Sequence, residues 1–496
     1  MTKALRTLGR ILKWPAVALA ALLLVVFIAN SFDEQRAPAA NALLHVPPSP
    51  YAPEDNAYLA MLGFEAPAGA SPIREGQATV ADLDRRTALL PTDWKAAYDG
   101  LLDKNPRRLA FKGPEEFCRG GASNAWNDFG HQGAVLARLQ ADNAELLQRY
   151  ASLHRVRGYY ETVQPGYIAS SPTLPDKIRC LFVAGVAARL RADDPAMRAA
   201  ALQELESDIR FWRLVLTGQG HLISKIFAGN AVRTDSLLLA DLYADPATPL
   251  PDPPPPAAAV TPVFEAADWR LGSALVATNR AIAATIDQPT PSTFDWTPPA
   301  LQNDSLPSRI WLNITARFQW HFFKRNSTLN ALAALNADQV RLDSADLARF
   351  AADEERLRDT WQDRVGPAGL LLWADPARWT WARARSAPLT FLYNPSGKDL
   401  VAYTMSRMFD FKSTLLDSAA VQRLVRLGEQ IRRERIPAAL IPGFMARHPE
   451  WARHPLSNQS FVWNAADGTI TVPTARSYPA NRRFWIHVWR ADPSTG

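Results

Sequence analysis

At 496 residues the chain exceeds one ordinary domain, and its 47% apolar and 21% charged residues are those of folded protein, which excludes disorder along its whole length. The formal net charge is +6, but Lys3, Arg6, Arg10 and Lys13 supply four of those charges before the first acid, Asp33. The remainder is nearly balanced, so the charge is a local topology signal and gives no basis for a nucleic-acid surface.

From Trp14 to Phe32 the chain carries no charge: WPAVALAALLLVVFIANSF. Nineteen helical residues span about 28 Å at 1.5 Å each, close to the hydrocarbon core of a bilayer. Basic residues precede this stretch and Asp33 and Glu34 follow it. The positive-inside rule then predicts a single-pass bacterial inner-membrane helix at 14–32, with residues 1–13 in the cytoplasm and the body in the periplasm. Two other readings compete: a cleaved signal peptide, for which Ala29-Asn30-Ser31 offers a small-residue site, and a buried soluble helix.

Residues 33–53 are rich in Ala and Pro and read as a linker. A helical domain is expected over 54–248. Its predicted helices are Asn56–Phe64, Thr92–Leu102, Asn124–Tyr150, Ile178–Arg191, Pro195–Leu216 and Leu222–Tyr243, from apolar residues at three- and four-residue steps. Residues 249–263, with the run PLPDPPPPAAAVTP, predict a polyproline linker or surface loop. Helical patterning resumes over 264–445 at Phe264–Ile286, Ser308–Leu335, Asp346–Val365 and Thr414–Arg435. In the last segment, 446–496, Phe461–Trp463 and Thr469–Val472 flank Asp467-Gly468 and predict a β-hairpin, with Phe484–Trp489 as a third strand. The expected fold is mainly α: stacked helical hairpins, one N-terminal transmembrane helix and a small C-terminal β cap.

Cys118 and Cys180 are the only cysteines. An even count in an exported body predicts a disulfide between them, and the acids Glu115 and Glu116 argue against a reactive thiol at Cys118.

Several stretches resemble a family of N-terminally anchored envelope proteins of Gram-negative bacteria. They are Glu54–Phe64 (EDNAYLAMLGF), Asp208–Val232 (DIRFWRLVLTGQGHLISKIFAGNAV), Tyr393–Tyr403 (YNPSGKDLVAY) and, more loosely, His454–Val472. That family often carries an Asp-Pro-aromatic-Thr-Gly turn in the last piece, where this chain has His454-Pro455-Leu456-Ser457-Asn458. The resemblance implies a similar topology. It carries no activity, so no functional residue transfers.

The chain has no P-loop, H-E-x-x-H, G-x-S-x-G, S-x-x-K or C-x-x-C motif. Two polar pairs are the candidate catalytic residues. Asp128 and His131 lie at i, i+3 and suit an acid/base pair, although two ligands do not make a metal site. His221 and Lys225 lie at i, i+4 in an apolar stretch. A buried Lys225 suits base or Schiff-base chemistry, or else pairs with Glu204, Glu206 or Asp208 on the preceding helix. Aromatic clusters at Trp373, Trp379 and Trp381 and at Trp311–Phe323 suit sugar or lipid contact, but core packing explains them as well, with His321 a core residue. No cofactor, metal or nucleic acid is expected. The expected role is a non-enzymatic envelope protein that meets protein partners; the alternatives are an envelope hydrolase of glycan or lipid, marked by a Trp-lined cleft with two carboxylates, and a lipid- or ligand-binding protein.

Overall fold

The computed structural model of the chain describes residues 2–89, 107–118, 133–162, 175–244, 266–287, 321–365, 393–405, 408–473 and 484–488. The helix expected at Thr92–Leu102, the Pro-rich stretch 249–263 and the Trp373–Trp381 cluster lie outside them, as do Trp311, Phe318 and Trp320.

The first helix, α1, covers Thr2–Ala29. Leu22, Leu23, Leu24 and Val25 follow one another at 100° steps and each is more than half exposed, so among the described residues nothing encloses this part of the helix. The apolar segment expected over 14–32 is corrected at its far end. Asn30 leaves the helix, its Nδ2 donating back to Val26 O (2.7 Å) while its Oδ1 accepts from the backbone N–H of Asn394 (2.8 Å). Sixteen uncharged helical residues remain, about 24 Å of helix against a hydrocarbon core of about 30 Å. Among the described residues no helix is long and apolar enough to cross a membrane.

Residues 33–44, expected as part of a linker, lie on the body instead. Helix α2 (Pro38–Leu43) buries Ala40 and Leu43 among Ala283, Ile286, Leu329 and Leu332. The 3₁₀ turn Pro53–Asp55 then leads into α3 (Ala57–Leu62), whose N-cap Asn56 accepts from Tyr58 N–H, and α4 (Pro72–Leu89) crosses it. Gly76 permits that crossing: a Cβ there would run into the carbonyl of Leu59.

The helix expected over Asn124–Tyr150 is described from residue 133 and is broken into α5 (Gly133–Asp142) and α6 (Ala144–Leu153). Asn143 makes the break, because its side chain bonds both the N–H and the C=O of Lys112, each at 2.8 Å. Helix α7 (Asp176–Leu190) is buried on nearly all sides, as its apolar circumference demands. Helices α8 (Pro195–Thr217) and α9 (Leu222–Ala244) form a hairpin beside it. Asp194 caps α8, accepting from Ala196 N–H (2.9 Å) with Pro195 at N1.

A 3₁₀ turn, Ala266–Trp269, precedes α10 (Gly272–Asp287). Next come α11 (Arg325–Asp343), α12 (Leu347–Val365), α13 (Pro395–Met405) and the long α14 (Met408–Arg433). Helix α10 packs along α11 and α9 along α14. A single cluster of buried apolar residues runs from Ala57 to Ala419, so helices before and after the Pro-rich stretch share one core. Two short helices, α15 (Ile441–Arg447) and α16 (Pro449–Ala452), lead to the sheet.

The sheet has the expected three strands, β1 (Val462–Asn464), β2 (Thr469–Thr471) and β3 (Trp485–His487), antiparallel in the order β1-β2-β3. Val462 pairs with Thr471 and Thr469 with His487, and Gly468 turns the hairpin at φ 61°. This register points Ile470 and Ile486 into a cluster with Leu237, Leu424 and Leu427, which seats the sheet on α9 and α14. The expected disulfide joins Cys118 to Cys180 on α7, with Cα atoms 6.0 Å apart.

Candidate functional site

Helices α6 to α9 bring a charged network into the main core. Arg179 comes from the first turn of α7, Asp208 and Trp212 from α8, Asp235 from α9, Tyr150 from α6 and His154 from the residue that ends α6. The Arg179 guanidinium pairs with Asp235, lies 3.6 Å from Asp208 Oδ2 and donates to Ala231 O (2.9 Å). Asp208 Oδ1 accepts from Tyr150 Oη (2.6 Å) and contacts His154 Nε2 (3.0 Å). Trp212 Nε1 donates to Tyr150 Oη at 3.1 Å. Burial pushes the Asp208 carboxyl up, but the His154 bond and the Arg179 charge outweigh it and hold it below its ordinary value. Burial pushes Asp235 well above its own. The charged form is thus favoured at Asp208 and the neutral form at Asp235, which limits the net charge buried beside the guanidinium.

The network meets the surface at His154. A groove of about 660 Å³ opens between α5, α6, α7 and α8. Leu147, Ala151, Phe182 and Ala200 form its apolar wall, and Arg155, Arg189 and Glu204 stand at its rim. His154 lies at its edge with Nε2 engaged by Asp208, while Nδ1 has no hydrogen-bond partner among the described residues. The backing carboxylate fixes the imidazole orientation, so Nδ1 is placed to hydrogen-bond a molecule in the groove. The groove presents one carboxylate, Glu204, and no Trp, unlike the paired-carboxylate cleft that glycan hydrolysis requires.

Of the residues singled out from the sequence, Asp128 and His131 lie outside the described residues. His221 and Lys225 sit one turn apart at the start of α9 but serve different partners. His221 Nδ1 pairs with Glu161, whose Oε1 also accepts from Tyr159 Oη (2.8 Å), Ser224 Oγ (2.8 Å) and His221 N–H (3.1 Å). Burial raises the Glu161 carboxyl, but bonds from His221, Ser224 and Tyr159 outweigh it and leave it lowered. Burial lowers the His221 imidazole, and the Glu161 bond and charge outweigh that and leave it raised.

Lys225 is fully buried and donates to Leu216 O. Burial brings its pKa down to about 8, with Asp343 opposing and Lys412 reinforcing the shift. The partner expected on the preceding helix is corrected. Glu204 pairs with Arg189, Glu206 with Arg210 (2.7 Å), and Asp208 belongs to the Arg179 network. The carboxylates acting on Lys225 are Asp343 at the end of α11 and, more weakly, Glu161; Asp343 itself binds Lys412 Nζ (2.6 Å) and the N–H groups of Leu271 and Gly272.

A fourth buried pair joins His454 Nε2 to Asp417 at 2.8 Å. Its Nδ1 accepts from Leu456 N–H (3.1 Å) and Ser457 N–H (3.2 Å), so the proton resides on Nε2. These two bonds are the ones an Asp would accept at the head of such a turn, and Asn458 closes it at φ 55°. His321, expected in the core, stacks on Phe27 of α1 with ring centroids 4.1 Å apart and meets Phe322 edge-on. Among the described residues no group of three or more His, Cys, Asp or Glu side chains can hold a metal ion.

Sequence reasoning missed Tyr150, His154, Arg179 and Asp235. The available signal was a lone charge inside an apolar helix, Arg179 in DKIRCLFVAGVA and Asp235 in VRTDSLLLA, since such a charge needs a buried partner.

Two outcomes follow from this geometry. His221, being raised, contributes stability that is full below its ordinary value of 6.5 and is lost as pH rises through its folded value; Glu161, being lowered, contributes stability present above 4.5 and lost as pH falls through its folded value. The Tm advantage of the native chain over His221→Gln is therefore largest between 4.5 and 6.5 and shrinks toward pH 9, as thermal unfolding at pH 5.5 and 9 will measure. Lys225→Met fills the same space without a buried charge, so its stability in urea denaturation stays within about 1.5 kcal/mol of the native chain or exceeds it.

No protein-family model, curated protein or solved structure matches this chain.

Proposed function

We propose that this protein is an inner-membrane-anchored envelope protein whose helical body stands in the periplasm and acts without catalysis, as an interaction or accessory protein. The observation that carries the reading is α1. Its large apolar side chains from Trp14 to Ile28 lie exposed all round, a surface that water penalises and lipid accepts. The 24 Å of apolar helix falls short of a full hydrocarbon core, and the exposed Lys13 offsets part of the difference by reaching toward the cytoplasmic headgroups while the bilayer thins locally. Asn30 also favours retention of the segment, because it sits in the small-residue site and its side chain holds Asn394 in the body. The Cys118–Cys180 disulfide fits an oxidising compartment. The buried charges are engaged with one another, Arg179 with Asp208 and Asp235, Lys412 with Asp343, and His454 with Asp417, as expected of groups that hold a platform together.

A second reading, binding of a small ligand, is favoured by the groove beside His154. Its volume is in the range of ligand sites, and its apolar wall faces two guanidinium groups at the rim.

Cell fractionation tests the first reading. The chain should remain in the membrane pellet after alkaline extraction, a chain lacking residues 2–29 should move to the soluble fraction, and the thiols should resist alkylation until reduced. Release of the full chain by alkali, or free thiols in intact cells, would overturn it. Saturation-transfer NMR with hexanoate and the full chain in nanodiscs tests the second. Signal transfer to hexanoate should vanish in Ala200→Trp, which fills the groove from an exposed position; absence of transfer to the native chain would remove that reading.

A further inference from the structure

We infer that the surface around the N-terminal end of α11 lies in the phospholipid headgroup layer, held there because the joint between α1 and the body is stiff. The inference rests on the membrane-anchor reading of α1 and adds to it the orientation of the body and the face that meets lipid.

The joint contains no free stretch. Asn30 is buried and binds Asn394 N–H. Asp33 caps α11, its two carboxylate oxygens accepting from Asn326 N–H (2.9 Å) and Ser327 N–H (3.1 Å). Asn326 Nδ2 donates to Glu34 O (3.0 Å) and Asn330 Nδ2 to Gln35 O (2.9 Å), while Asn330 Oδ1 accepts from Ala37 N–H (2.7 Å). Arg36 pairs with Asp287 at the end of α10. Asn326 and Asn330, one turn apart on α11, thus clamp the backbone of the segment that leaves the membrane.

The distances then fix what faces the bilayer. Three residues, four backbone steps, separate Ala29 from Asp33 and reach at most about 14 Å when extended. The headgroup region is about 5–8 Å deep on each side. His321 comes closer still, because it stacks on Phe27, two residues inside the end of α1. Lys324 and Arg325, adjoining that ring in the chain, therefore stand at the depth of the lipid phosphates. Arg325 is half exposed and can donate to them, and Phe32, also exposed, sits beside the apolar boundary.

Because Cys118 and Cys180 are bonded to each other, a cysteine added at Arg325 is the only free thiol for a spin label. In nanodiscs containing lipids with a nickel-chelating headgroup, the label at 325 should relax strongly. Ten Gly/Ser residues inserted between Ala29 and Asn30 leave the contacts of residues 30–37 with the body in place but lengthen its tie to α1 by about 17 Å, and the relaxation should fall about threefold. Weak relaxation in both chains would overturn the placement of this face. Strong relaxation in both would overturn the role of the joint. Neither result bears on whether α1 enters the membrane, which the pellet assay decides by itself.

Discussion

The organisation of the main body depends on one buried cation. Arg179 sits in the first turn of α7, a helix so apolar around its circumference that the guanidinium is buried. An unpaired charge in that position would cost several kcal/mol, so the folded chain must bring carboxylates to it. Asp208 arrives on α8 and Asp235 on α9, and the requirement locks three helices into one register. The same carboxylate then recruits Tyr150 and His154 from α6, which carries the constraint to the rim of the groove.

Away from that cluster, irregular segments are held by side chains that imitate backbone. Asn56 bonds both the C=O and the N–H of Tyr160, as a neighbouring strand would, and Asn143 does the same to Lys112. Arg149 collects the carbonyls of Phe64, Ala66 and Pro67 in the turn that follows α3. Asn394, in the left-handed region at φ 51°, accepts from the backbone of Lys324 and of Gly397. Long connections in a helical protein leave many such groups to be paired, and here a few buried amides and one guanidinium pair them.

The same device fastens α1. The Asn and Asp contacts of residues 30–37 tie the end of α1 to the body.

The fold class was legible in the sequence because it rests on local periodicity. Apolar residues at helical spacing marked α7, α8, α9 and α14 to within a few residues, and alternation around Asp467-Gly468 marked the sheet. The cystine followed from the count of cysteines. The break at Asn143 and the early end of α1 at Asn30 were not legible, because each depends on a side chain reaching a residue distant in the chain: Lys112 in one case, Asn394 in the other. Nor were the partners of the buried charges. Lys225 has three acids on the helix before it, yet the acid that acts on it most is Asp343, more than a hundred residues away. Spacing along the chain tells which residues share a helix face; only the packing of one helix on another decides which charge stands opposite which, since the energy of a buried pair depends on separation in space.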